Sequence, residues 1–126
     1  MKQIVNTEHA PAPIGPYNQC TIFNGMVFVS GQIAADPKTG NLVLDSIEAE
    51  THLALQNVKA ILEAAGSSFE KVLKASVFVK DINQFSRINA VYAEYFKPEF
   101  APARELVQVA ELPKFVNVEI SVIAYV

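Results

Sequence analysis

The clearest alternation of apolar and polar positions lies at the C-terminus, in "VNVEISVIAYV". One face of this stretch is apolar at every second residue: Val116, Val118, Ile120, Val122, Ala124 and Val126. A period of two is typical of a strand with one buried face. The opposite face is mixed and carries five residues: Asn117, Glu119, Ser121, Ile123 and Tyr125. We therefore expect a final strand that is buried on one side and mixed in polarity on the other.

Four further β-rich runs precede this strand. Two lie in "CTIFNGMVFVSG", joined by Asn24-Gly25, a pair that supplies the positive φ angles of a two-residue hairpin. The segment "DPKTGN" after them is a turn cluster. The third run is Val72 to Lys80, and the fourth follows Pro102 and contains Arg104. The pattern thus predicts five strands.

The first helical pattern lies between the second and third strands. Four apolar residues recur there at helical spacing: Ile47, Leu55, Val58 and Leu62. We expect a helix over residues 46–65, with Asp45 as its N-cap, Glu48 three residues later and Gly66 at its end.

The second helical pattern is "NQFSRINAVYAEYF". Its apolar stripe consists of Phe85, Ile88, Val91 or Tyr92, and Tyr95. Asn83 is the expected cap, and Pro98 lies beyond the end of the helix. The order of elements is therefore β-β-α-β-α-β-β, an α+β fold.

Right-handed crossovers should place both helices on one face of the mixed sheet. The other face is then left without a cover. The mixed side of the last strand would lie on that face, and such a surface suits a subunit interface with polar pockets.

Composition narrows the classes of function. The chain has 126 residues, which we interpret as one domain spanning 1–126, and a net charge of −3. It contains no basic run, so we expect no nucleic-acid partner. Its apolar runs are too short to cross a bilayer, and the N-terminus lacks the apolar core of an export signal. With Cys20 as the single cysteine, a cytoplasmic location without disulfides is expected.

Arg104 is the first candidate for chemistry, because an arginine inside a strand needs an anion to meet it. If the last two strands paired as a hairpin across Pro113, Arg104 and Glu119 could share a face. One interpretation is a structural ion pair between them. The other is a site for a small carboxylate, which the planar guanidinium would bind with two hydrogen bonds while Glu119 handles water or a proton.

Weaker candidates are Tyr17 in "IGPYNQ", Ser30-Gly31 in "VSGQ" and Asn89 on the second helix. A glycine at a strand end allows a ligand to approach the backbone closely. Each also has an ordinary interpretation: a tyrosine anchoring a loop, a simple strand end, and a surface or capping asparagine. None is specific alone.

Metal and thiol chemistry have little support. His9 and His52 are far apart in the sequence, and no ligand spacing connects them with Cys20. We interpret the histidines as surface residues and Cys20 as a packed strand thiol. No metal or other cofactor is expected.

Taken together, several segments resemble the Rid family, the YjgF-like reactive intermediate deaminases. The matching segments are "IGPYNQ", "VFVSGQIAADPKTGNLV", "VFVKDINQFSRINAVYAEYF", "PAR", "LPK" and "VEI". They cover nearly the whole chain in the family's order, and the predicted β-β-α-β-α-β-β order agrees with the family's chorismate-mutase-like fold.

The resemblance implies a homotrimer whose sheets form a central barrel, with a site in each cleft between subunits. It implies an enzyme of the 2-iminobutanoate/2-iminopropanoate deaminase type, which hydrolyses 2-imino acids, formed from enamines such as 2-aminoacrylate, to 2-oxo acids and ammonia. By the same resemblance Arg104 binds the substrate carboxylate and Glu119 holds or activates water. The other site residues it implies are Tyr17, Ser30, Gly31 and Asn89.

The chain departs from the family pattern after "PAR", where Glu105 and Leu106 replace smaller residues, and at Ser121, where a glutamate is usual. By strand alternation Glu105 should point away from Arg104, whereas Leu106 should point with it and narrow the substrate pocket. Two rivals to the deaminase are a trimeric sensor that binds 2-oxo acids without turnover, and RNA cleavage or translation inhibition. The acidic balance argues against the RNA-directed activities.

Overall fold

The alternation in the sequence produces a mixed sheet, seen in a computed structural model that describes residues 1–126. Its six strands are β1 (Gln3–Val5), β2 (Cys20–Phe23), β3 (Met26–Gln32), β4 (Val72–Val79), β5 (Ala103–Gln108) and β6 (Val118–Tyr125). Its two α-helices are α1 (Ile47–Ala64) and α2 (Phe85–Tyr95). The strand order across the sheet is β1-β2-β3-β6-β4-β5, and only β4 and β5 are parallel.

The hairpin between β2 and β3 forms at the predicted turn. Asn24 and Gly25 both have positive φ angles, 52° and 75°. Both residue types adopt such angles readily, which is why the pair favours a two-residue turn whose twist matches that of the strands. The prediction of this hairpin is confirmed.

The cap and the start of the first helix lie one residue later than predicted. Ser46, not Asp45, is the N-cap, and its hydroxyl accepts a hydrogen bond from the Ala49 backbone N–H at 3.0 Å. Serine and aspartate are both strong N-cap residues, so composition alone did not separate these neighbours. The predicted stop is correct, because Gly66 has a φ of 81°, the left-handed conformation common after a helix.

The second helix is preceded by a short 3-10 turn over Ile82–Gln84. Asp81 caps that turn by accepting a hydrogen bond from the Asn83 backbone N–H, so the expectation that Asn83 itself is the cap is wrong. Within the predicted stripe, Ile88, Val91 and Tyr92 are buried, whereas Phe85 stays exposed. The helix therefore buries a narrower face than its periodicity indicated.

Both helices lie on one face of the sheet, as predicted. The buried side of β6 consists of Val118, Ile120, Val122 and Ala124. Helix α1 packs over this strand and over the neighbouring strand β3. Neither α-helix combines the length and the apolar composition that a membrane-spanning helix requires. The second face of the sheet has no covering element and exposes several large side chains, among them Phe28, Val107 and Tyr125.

Two features of the topology differ from expectation. A three-residue strand, β1, pairs with β2, so the order begins with three strands rather than two. Its exposed residues carry no alternation that would reveal it. The two C-terminal strands also do not form a hairpin, because β4 lies between β5 and β6 and pairs with both.

Candidate active site

A cavity of about 420 Å³ opens on the uncovered side of the sheet, where the loop before β2 meets the bulged end of β3. It is lined by Ile14, Tyr17, Ser30, Gly31, Ile33, Pro113, Lys114 and Glu119. Four of the predicted site residues therefore lie together: Tyr17, Ser30, Gly31 and Glu119. Such a volume is within the usual range of small-molecule sites.

Glu119 is the acidic group of this cavity. It lies on β6 between the buried Val118 and Ile120, so its side chain points away from the helices. Its carboxyl is half-buried and forms no ion pair within the chain. Burial raises the pKa of the Glu119 carboxyl above the ordinary value, because removal from water disfavours the charged form. A carboxylate in this state is a stronger base than one on the surface.

Gly31 makes the room that Glu119 occupies. The pairing of β3 with β6 is irregular between Val29 and Gln32, which places Ser30 and Gly31 in a bulge opposite Ser121. A Cβ atom added to Gly31 would lie 2.8 Å from the Glu119 Cδ atom, closer than real Cβ contacts allow. The glycine at this strand end was predicted to admit a ligand, and within the chain the missing side chain leaves space for the Glu119 carboxyl.

Ser30 and Tyr17 border the same cavity with different freedom. The Ser30 hydroxyl donates a hydrogen bond to the Asn18 carbonyl at 2.6 Å, which ties β3 to the loop before β2. The Tyr17 ring is half-exposed, and its hydroxyl accepts a hydrogen bond from the Ile14 N–H at 3.4 Å. The Tyr17 phenol thus lies at the cavity with its own hydrogen available for donation.

Gln19 holds the loop that carries Tyr17, a role that the sequence did not reveal. Its side chain is buried, and its Oε1 atom accepts a hydrogen bond from the Thr7 N–H at 2.6 Å. Its Nε2 atom donates to the carbonyls of Thr7, Ala10 and Pro11. A buried glutamine in "YNQC" is hard to distinguish from an exposed one, because both precede a strand.

Arg104 and Asn89 form a second cluster away from this cavity. The Arg104 Nη1 atom donates a hydrogen bond to Asn89 Oδ1 at 2.9 Å. The guanidinium lies 4.6 Å from the Tyr92 ring centroid and 5.8 Å from that of Phe85. No carboxylate of the chain pairs with Arg104. Its charge is therefore supported only by an amide and aromatic faces, and most of its donors remain available to an anion.

The strand register shows that Arg104 and Glu119 lie on opposite faces of the sheet. Across β4, Ala75 pairs with both Arg104 and Val122, which places Arg104 on the helix-covered face with Val122. Glu119 is on the other face. The expected hairpin and the shared face are thus wrong within one chain, and so is the structural ion pair between the two residues.

Comparison with known proteins shows the family to which the chain belongs. Residues 7–126 match the family described as endoribonuclease L-PSP. The chain belongs to this family, which is also called YjgF or RidA. The resemblance seen in the sequence is therefore confirmed.

Individual Rid relatives are similar over their full length. The chain is 48% identical over 126 residues to the 2-iminobutanoate/2-iminopropanoate deaminase of Salmonella typhimurium, covering 98% of each chain. It matches the crystal structure of the Rid-family protein YyfA from Yersinia pestis with a TM-score of 0.97, at 45% identity and with 100% of both chains covered. Escherichia coli TdcF, solved with bound serine, matches with a TM-score of 0.92, at 44% identity and 98% coverage of both chains.

The residues after "PAR" point as strand alternation predicts. Glu105 is on the uncovered face, where it accepts a hydrogen bond from the Ser76 hydroxyl at 2.6 Å and pairs with Lys74 at 3.1 Å. These contacts lower the pKa of the Glu105 carboxyl. They also hold the carboxyl on the face opposite to Arg104. Leu106 is on the same face as Arg104, but it packs against the hydrophobic core and does not line the cavity.

Glu50 fixes the start of the strand that carries Glu119. This carboxylate on α1 is fully buried and accepts hydrogen bonds from the Asn117 backbone N–H, the Asn117 Nδ2 atom and the Val118 N–H, at 2.7, 2.8 and 3.0 Å. Charged hydrogen bonds of this kind position strongly. The only sequence signal is an acidic residue on the apolar side of α1.

The histidines take surface positions. His52 Nδ1 lies 3.0 Å from the Tyr95 hydroxyl, and its Nε2 lies 3.6 Å from Glu94. His9 is exposed in the N-terminal loop. No cluster of three His, Cys, Asp or Glu residues offers a metal site.

Proposed function

We propose that this protein hydrolyses reactive 2-imino acids, such as those formed from 2-aminoacrylate, to 2-oxo acids and ammonia. The observation that carries the proposal is that the chain holds an unpaired acid and an unpaired cation on opposite faces of its sheet. An unpaired, half-buried Glu119 carboxyl lies in a cavity on one face, and an Arg104 guanidinium without any acid lies on the other. The deaminase name of a relative at 48% identity supports the same chemistry.

The two groups can meet if the active form is a homotrimer. One chain would present Glu119, Tyr17, Ser30 and Gly31, and its neighbour would present Arg104 and Asn89. Such an interface would bury apolar residues that are exposed on the uncovered face of the single chain: Phe28, Val107 and Tyr125. The cleft between subunits would then contain an anion fork opposite a base.

Arg104 would bind the substrate carboxylate. Its planar guanidinium can bind both carboxylate oxygens. Asn89 and Tyr92, both on α2, hold the guanidinium in place. Holding the carboxylate fixes the imine carbon relative to Glu119, which removes much of the entropic cost of the reaction.

Glu119 and Tyr17 would move the protons. A water oxygen adds to C2 while one water proton passes to the Glu119 carboxylate, and the C=N π pair goes to nitrogen, which takes that proton. The resulting amino alcohol then loses its hydroxyl proton to Glu119, the carbonyl forms, and the C–N pair leaves with nitrogen as ammonia after protonation. Tyr17 would donate a hydrogen bond to the developing alkoxide. No cofactor is needed, because such imines also hydrolyse unaided and acid–base help adds roughly 10²–10⁴-fold.

A non-catalytic sensor of 2-oxo acids is the second candidate. It would use the same Arg104 fork, which binds a carboxylate whether or not water attacks, and it would not need Glu119. The raised pKa of an unpaired Glu119 carboxyl favours the enzyme, since a mere binding site gains nothing from a buried base facing an anionic ligand. RNA cleavage, which the family description names, is disfavoured by the net charge of −3 and by the lack of a basic run in the sequence, because binding to phosphates relies on lysine and arginine.

A coupled assay tests the proposal. An amino-acid oxidase generates imino acids from several amino acids, and semicarbazide trapping follows their lifetime with and without the protein. We expect the protein to shorten that lifetime in proportion to its concentration. An unchanged lifetime together with measurable binding of 2-oxo acids would favour the sensor instead.

A further inference from the structure

We infer that this cavity selects imino acids with a second, acidic group, and that Lys114 is the residue that recognises that group. The inference rests on the proposed function, because it names the substrate class of the same cavity. Its evidence is the backbone conformation of Lys114, the lack of any acid of the same chain paired with it, and the residues that line the cavity.

The Lys114 backbone is held in an unfavourable conformation. Lys114 and Phe115 are consecutive non-glycine residues with φ angles of 55° and 60°, the left-handed region that side chains rarely adopt. Burial of the Phe115 ring within the chain does not account for this turn, since 77% of that residue is exposed there. The turn is instead fixed at its ends by the buried Leu112 and Val116. Strain that persists under such constraint is common at ligand-binding segments.

The turn places the Lys114 side chain on the cavity wall without a partner. Lys74 and Lys80 form ion pairs with Glu105 and Glu111, but Lys114 forms none. Among the residues that line the cavity, Lys114 is the single cation and Glu119 the single acid, and the two form no ion pair with each other. The ammonium is thus available to an anion that enters beside Glu119.

Part of the cavity wall is apolar. Ile14, Ile33 and Pro113 line it together with the polar residues Tyr17, Ser30, Lys114 and Glu119. An imine carbon held near Glu119 would send its side chain along this wall toward Lys114. The imine of alanine fills little of 420 Å³ and is too short to use the lysine. The imine of an acidic amino acid such as glutamate can place its terminal carboxylate against Lys114.

The charge of the whole molecule does not explain a preference for dianions. The net charge is −3, so the overall field repels a dicarboxylate more than a monocarboxylate. Any preference for the dicarboxylate must therefore come from a local cation. This makes selectivity, rather than affinity alone, the informative quantity.

Equilibrium binding of two product analogues tests this directly. The probes are 2-oxoglutarate and 2-oxopentanoate, which share their chain length and differ in the terminal carboxylate, titrated into the wild-type protein by calorimetry. We expect 2-oxoglutarate to bind roughly tenfold tighter or more, as one charge-assisted contact allows. Lys114→Met should bring the ratio of the two affinities close to one, whereas Lys114→Arg should retain most of it.

Lys97→Met is the matched control, because Lys97 is an exposed lysine that lines no cavity and forms no ion pair. It removes the same unit of charge and should leave the ratio at its wild-type value. Equal affinities in wild type, or a preference that survives in Lys114→Met, would overturn the inference, since Lys114 would then be an ordinary solvated residue.

Hydrolysis distinguishes failure of this inference from failure of the proposed function. If the protein hydrolyses the imines of alanine and glutamate but shows no preference in binding, the proposed function is supported and the role of Lys114 is refuted. If it prefers 2-oxoglutarate through Lys114 but hydrolyses no imine, the ligand class is supported and the deaminase activity is refuted. Circular dichroism of each variant confirms that the affinities refer to folded protein.

Discussion

At the scale of single residues, the central feature is a carboxyl that its own chain leaves unpaired. Glu119 fills the space that the missing side chain of Gly31 provides, and no cation of the same chain compensates it. The sequence pointed to both residues through their positions on strands. It did not reveal that the glycine serves the glutamate, because that relation depends on a bulge in the register between β3 and β6.

Glu119→Gln should separate catalysis from binding. The amide preserves the size of the side chain but cannot accept the proton of the attacking water, so turnover should fall by about 10²-fold or more. Binding of a 2-oxo acid should persist, because the Arg104 fork is untouched. Imine-hydrolysis rates and calorimetric titrations of the same preparation provide the comparison, and unchanged turnover would remove Glu119 from the mechanism.

Gly31→Ala should affect activity through Glu119. The added methyl group would lie 2.8 Å from the Glu119 Cδ atom, and the carboxyl must move away to relieve the overlap. We expect a fall of at least tenfold in kcat/KM, on the scale that small displacements of catalytic groups produce. Gly15→Ala is the comparison, because its added methyl group would meet the Tyr17 ring at 3.5 Å, an ordinary contact distance that requires no movement of the ring. Normal kinetics in Gly31→Ala would show that the position of Glu119 is not critical.

At the scale of elements, local signals predicted most of the fold. Asn24-Gly25 fixed a hairpin because few residue pairs adopt its angles, and the 3.6-residue period revealed both helices. The caps were displaced, because Asp45 and Ser46 satisfy the same chemical requirement and only the path of the chain decides between them. The strand β1 was missed, since a strand of three residues, two of them exposed, is too short to show a period. Its pairing is decided by the neighbouring strand.

The two helices are joined by an ion pair whose contribution should depend on pH. Arg87 donates two hydrogen bonds to Glu48, at 2.8 and 2.7 Å, and these bonds lower the pKa of the Glu48 carboxyl from 4.5 to about 2. A depressed folded-state pKa gives stability that is complete above the unfolded value and disappears as pH falls through the folded one. The stability that Arg87 provides should therefore be constant near neutrality and decline from about pH 4.5 toward pH 2.

Chemical unfolding of wild type and Arg87→Gln across this range measures that contribution. The difference in unfolding free energy should be small, because the pair is exposed, and should shrink further in high salt. Lys97→Gln, which removes an exposed cation outside any ion pair, should show no such pH dependence. A difference between Arg87→Gln and wild type that stays constant down to pH 2 would contradict the assignment.

At the scale of the whole molecule, the chain holds the two groups of the proposed site apart. Arg104 lies on the helix-covered face and Glu119 on the uncovered face, separated by β4. The sequence could not establish this, because consecutive strands need not pair and a single residue of register reverses a side chain. The uncovered face of the sheet, by contrast, followed directly from the alternation in β6 and the one-sided helices.

The central claim is that each site is shared between neighbouring chains, and mixed trimers test it most directly. Arg104→Lys and Glu119→Gln chains, carrying different affinity tags, are co-expressed, and the mixed assemblies are isolated by both tags in turn. Light scattering should give about three times 13.8 kDa for each assembly. Either variant alone should be nearly inactive, because lysine cannot reproduce the guanidinium fork and glutamine cannot act as the base.

In any mixed trimer, one cleft pairs the intact Glu119 of one chain with the intact Arg104 of its neighbour. The account therefore predicts imine hydrolysis at about one third of the wild-type rate per trimer, well above both parent variants. Mixed trimers as inactive as their parents, or a protein that remains monomeric while hydrolysing imines, would contradict it.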